Sequence, residues 1–151
     1  MAKSFEELMS GVWKLLPLEK PERAIAGEPV FINDVMFTLI HDKDIDPERI
    51  FLFASFGDMP RDRTVEVLAA LLKENHVGMM GDGPGFTISP TTGKVVYVRH
   101  IMLATATPAD FASKMCYVAQ KANEWRKTYF LPEAPVSTAR RSRFARTTAH
   151  L

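Results

Sequence analysis

Between Asp58 and Leu103 the sequence passes through a strongly apolar helical stretch, a glycine-rich loop and two strand-like runs, a succession few folds accommodate. Asp58 can cap the helix and Pro60 suits its first turn, after which Val65, Val67, Leu68, Ala69, Ala70, Leu71 and Leu72 leave hardly any polar face. A helix that is apolar on more than one side is buried on more than one side. Its own sheet can cover one of them. The other is covered either by the same helix of a second copy, in a symmetric homodimer, or by the core of a monomer. Apolar periodicity does not say whose surface does the covering, so both arrangements stay open at this point.

The flanking segments supply the sheet and its other helices. Ser4 and Glu7 form a capping box, and Phe5, Leu8, Met9, Val12, Leu15 and Leu16 then recur at helical spacing up to Pro17, which predicts an amphipathic first helix. Val30 to Ile32 and Val35 to Ile40 flank Asn33-Asp34, a pair suited to a tight hairpin turn. The polar loop from His41 to Arg49 leads into a third strand, Ile50 to Phe56. Beyond the central helix, Gly78 to Gly85 reads as a loop, and Phe86 to Ser89 pairs with Lys94 to Leu103 across Pro90-Thr91-Thr92-Gly93. Thr107, Pro108 and Asp110 open a last helix whose buried stripe is Phe111, Met115, Val118, Ala122 and Trp125, ending near Leu131-Pro132. The expected fold is α+β in the order α-β-β-β-α-β-β-α: an antiparallel, twisted sheet with helices, and no internal repeat.

The strands are apolar on both faces. Alternation puts Val35, Phe37 and Leu39 on one side of the second strand and Met36 and Ile40 on the other; the third strand sets Ile50, Leu52 and Phe56 against Phe51 and Phe53. A sheet with one wet face alternates apolar with polar. Either three helices suffice to cover both faces, or something outside the domain covers one.

With 151 residues, 46% of them hydrophobic, the chain fits one domain with a sizeable core, read as residues 1–131, followed by a basic and disordered tail, 132–151. Arg140, Arg141, Arg143 and Arg146 against Glu133 give that tail a net +3, and the total of +1 leaves −2 for residues 1–131. Phosphate backbones or acidic membranes could attract such a tail, but Phe144 is its only aromatic, it has no period, and an acidic body stands behind it. A single cysteine, Cys116, excludes an internal disulfide and fits a reducing compartment. The N-terminus does not read as a signal peptide, and no apolar run reaches the roughly 18 residues of a membrane helix, so the expected location is the cytoplasm, with no membrane partner.

Asp42, Asp44 and Asp46 imitate the opening of a calcium loop, but Pro47 stands where its glycine belongs and Phe53 where its closing glutamate belongs, leaving a solvated acidic loop. Gly81-Asp82-Gly83-Pro84-Gly85 lacks the Lys-Ser or Lys-Thr of a phosphate cradle and opens no helix. His41, His76 and His100 have no acid or cysteine at metal-ligand spacing, and Cys116 sits inside a helix, away from the N-terminus that would lower its pKa. The expectation is a binding protein with no catalytic residues, metal or cofactor. The rival readings are a small-molecule-binding domain or enzyme with its pocket between sheet and helices, and a nucleic-acid-binding regulator acting through the tail.

Taken as an ordered series, Leu52 to Pro60 running into Leu71-Leu72-Lys73-Glu74-Asn75, Phe86-Thr87-Ile88-Ser89-Pro90 with Thr92-Gly93 and Val95-Val96-Tyr97, then Leu103, Phe111 and Trp125, resemble the class I chaperones of bacterial type III secretion, the CesT/SycE-like group. The resemblance covers roughly residues 3–130. It implies a homodimer, formed largely through the second helix and a neighbouring strand, that binds the extended N-terminal segment of a cognate secreted effector, with the secretion ATPase as a further candidate partner. Carried onto this sequence, the dimer candidates are Val65, Leu68, Ala69 and Leu72, and the effector-binding candidates are Leu8, Val12, Val30, Ile32, Phe37, Leu39, Phe51 and Phe53. Family members are commonly acidic, whereas this sequence has a pI near 7.9, a difference that the basic tail accounts for.

Overall fold

Asn33 and Asp34 set the register of the sheet. Both are left-handed, with φ of 49° and 63°, the pattern of a type I′ turn whose twist matches the strands it joins. In this computed structural model, which describes residues 4–78 and 85–131, the turn closes β1 (Val30–Ile32) on β2 (Val35–Ile40), with Ile32 opposite Val35 and Phe31 opposite Met36. With β3 (Arg49–Gly57), β4 (Gly85–Ile88) and β5 (Val95–Met102) the sheet runs β1-β2-β3-β5-β4, every neighbour antiparallel.

The helices are α1 (Phe5–Trp13), α2 (Glu22–Ile25), α3 (Thr64–Gly78) and α4 (Pro108–Thr128). Ser4 caps α1 by accepting from the Glu7 amide, and Thr107 caps α4 by accepting from the Asp110 amide. Every residue of the expected α4 stripe is buried, alongside Leu8, Met9 and Val12 of α1 and the strand residues Phe37, Leu39, Ile50, Leu52, Ala54 and Phe56. These alternate strand positions form one face, and the helices pack a single core against it.

Four features differ from expectation, the first being that α4 ends at Thr128, short of Leu131-Pro132. The apolar spacing after Ser4 continues to Leu16, but α1 stops at Trp13 and Leu15 is exposed. The four-residue α2, too short to leave a periodic signal, was not in the expected order. The central helix starts at Thr64, not beside Asp58: residues 58–63 form a separate bend, closed where Thr64 Oγ1 donates to the Pro60 carbonyl at 2.7 Å. Most of the expected loop after Gly78, and the tail 132–151, lie outside the described residues.

Arg126 ties the end of α4 to the sheet. Its Nε donates to the Phe56 carbonyl at 2.8 Å, and its two terminal nitrogens donate to the carbonyls of Ser55 and Asp34, each at 3.0 Å. Beside it, Asn123 Nδ2 donates to the Asn33 carbonyl at 2.8 Å. The β3–β5 register shifts between Ser55 and Gly57, so one guanidinium serves the carbonyls of an irregular strand end and of the hairpin turn together.

Candidate partner-binding surfaces

Among the described residues, strand alternation leaves the second face of the sheet without a helix. Register places Phe31 beside Met36, Thr38 beside Phe53, Ile40 beside Phe51, and Phe51 beside His100 on that face. Phe31 is 62% exposed, Met36 37%, Ile40 41% and Met102 41%, while Phe51 and Phe53 are half-buried. The His100 ring meets Phe51 edge-on at 4.7 Å. This is an apolar surface interrupted by a few polar side chains.

The effector-binding candidates divide accordingly. Leu8, Val12, Val30, Ile32, Phe37 and Leu39 are buried in the core, because their side of the helix or strand faces the helix-backed interior; they hold the sheet in place and present no surface. Phe51 and Phe53 lie on the open face. Phe31, Met36, Ile40 and Met102 lie beside them on that face and were not among the effector-binding candidates. A signal was present: on β2 and β3 the open side carries Thr38, Arg49 and Ser55, whereas the inner side from Val35 to Phe56 is wholly apolar.

The β1 edge borders this face. In a two-residue hairpin the residues flanking the turn exchange hydrogen bonds and the next pair does not, so Phe31 turns its N–H and C=O outward. An open groove of about 450 Å³ runs beside it, lined by Pro17, Leu18, Arg23, Pro29 and Phe31 among others.

On α3 the two-sided apolar pattern resolves into two stripes. Val67 and Leu71 enter the core; on the opposite side Val65 is 81% exposed, Leu72 66%, Ala69 is exposed and Leu68 half-buried. Among the described residues the sheet and core cover only the Val67–Leu71 side.

The acidic loop is occupied with itself: Asp42 accepts from the amides of Asp44 and Ile45, and Asp46 accepts from that of Glu48. Among the described residues no group of three or more His, Cys, Asp or Glu is arranged to hold a metal, and no helix is long and apolar enough to cross a membrane. His41 Nε2 is bonded to the Pro47 carbonyl at 2.9 Å, and Cys116 is exposed midway along α4.

Two solved complexes contain a chain of this fold. A chain of the HopA1-SchA chaperone-effector complex superposes with a TM-score of 0.59 at 16% identity, over 82% of this chain and 94% of that one. A chain of the ExsC-ExsE complex does so at 0.58 and 19% identity, over 89% and 99%. The sequence identifies the class: the chain belongs to the Tir chaperone protein (CesT) family, whose pattern matches residues 34–126. No curated protein matches it in sequence.

Proposed function

We propose that this protein is a cytoplasmic type III secretion chaperone, without catalytic activity or cofactor, that pairs through α3 and holds the extended N-terminal segment of a cognate effector on its open sheet face. The apolar face bordered by an outward-facing strand edge carries this reading, in a chain of the Tir chaperone family. An extended segment lying along β1 can add to the sheet by backbone hydrogen bonds while alternate side chains settle among Phe31, Met36, Phe51 and Phe53. Ordering such a segment costs several kcal/mol, so a large apolar surface suits the task better than a small polar one.

Retrieval of the tagged full-length chain from its native bacterium, followed by sizing and limited proteolysis, tests the proposal. Two chaperone chains with one secreted protein, whose N-terminal segment gains protease protection in the complex, is the expected outcome. A monomer that retrieves no secreted protein would refute it.

A further inference from the structure

The two edges of the sheet are not equivalent. Register makes Phe86 the counterpart of Phe31: it lies opposite Tyr97 between the paired residues Gly85 and Thr87, so its N–H and C=O point away from β5. Those groups are already bonded. Asn75 of α3 accepts from the Phe86 N–H through Oδ1 at 2.7 Å and donates from Nδ2 to the Phe86 carbonyl at 2.9 Å. A carboxamide has the same donor and acceptor as a peptide group, so Asn75 stands in for one residue of a neighbouring strand. The fit is close: at Gly85, whose φ is +87°, an added Cβ would lie 2.4 Å from Asn75 Oδ1. Among the described residues, Ile88, the last of β4, is then the only other outward-facing residue on that edge, too little for a ladder.

We propose that Asn75 closes the β4 edge and confines strand addition by an extended partner to β1. This rests on the reading that the partner adds as a strand. Asn75 is thus a positioning residue: it touches no partner and decides which edge the partner finds.

The test uses the full chain with two variants that break the clamp from opposite sides. Asn75→Ala removes the carboxamide, and Gly85→Ala keeps it but pushes it off the strand edge. Amide exchange by NMR reads the clamp in the free protein: the Phe86 amide is expected to exchange about tenfold faster in both variants, with β1–β3 signals unmoved. A ten-residue peptide of alternating valine and threonine carrying a nitroxide label then reads the edges. It should broaden β1 amides alone in the unmodified protein, and both β1 and β4 amides in the variants. Broadening of β4 in the unmodified protein, or Phe86 exchange unchanged in both variants, would overturn the clamp. No broadening at either edge in any of the three proteins would instead overturn the strand-addition reading on which it rests.

Discussion

Asp34 occupies a left-handed conformation that costs an ordinary residue about 1 kcal/mol, and its backbone carbonyl is the group that Arg126 uses. Asp34→Gly is therefore expected to raise stability by up to about 1 kcal/mol in urea denaturation, the gain trimmed by the greater freedom of glycine in the unfolded chain. Arg126→Ala should move the other way by about 2–3 kcal/mol, since it strands three carbonyls at once, and Arg126→Lys should restore little because an ammonium cannot span them. Phe31 and Phe37 offer the plainest contrast between neighbours on paired strands. Phe37→Ala empties a fully buried site and should cost about 3–5 kcal/mol, whereas Phe31→Asp should leave the unfolding midpoint nearly unchanged and weaken effector binding about tenfold or more by calorimetry.

Among the elements, α3 carries the strongest prediction. Full burial of a valine or leucine contributes about 1.5–3 kcal/mol, and a twofold interface counts each substitution twice, so Leu72→Glu is expected to weaken dimerisation about a hundredfold or more in sedimentation. Its excess of apolar surface was readable in the sequence because seven apolar positions within eight residues exceed what one stripe needs. Its starting point was not. Asp58 and Pro60 look like a helix start, but Arg63 lies over the rings of Tyr129 and Phe130, 5.7 and 5.9 Å from their centroids, and such a long-range contact has no local signature. The hairpin and α4 were legible because their signals are local: a turn pair in one case, and a cap, a first-turn proline and a stripe in the other. The inward side of the strands could not be taken from apolar content, since both sides have it; the scattered threonine, serine and arginine of the open side decide it.

At the scale of the whole molecule, every buried core residue of the described chain falls between Phe5 and Trp125. Removing residues 132–151 is accordingly expected to leave cooperative unfolding intact, with the melting temperature within about 2 °C of the full chain. The arrangement of the sheet, helix-backed on one face, open on the other and clamped at one edge, gives an extended partner one approach. The Arg126 fastening gives that approach a mechanical character. The hairpin turn is anchored to α4, the longest helix among the described residues, while the opposite end of β1 runs into the connection from α2. A tug along β1 is carried into that helix instead of bending the hairpin, so the direction in which a bound strand is drawn away sets whether it leaves by peeling, bond after bond, or by shear, all at once.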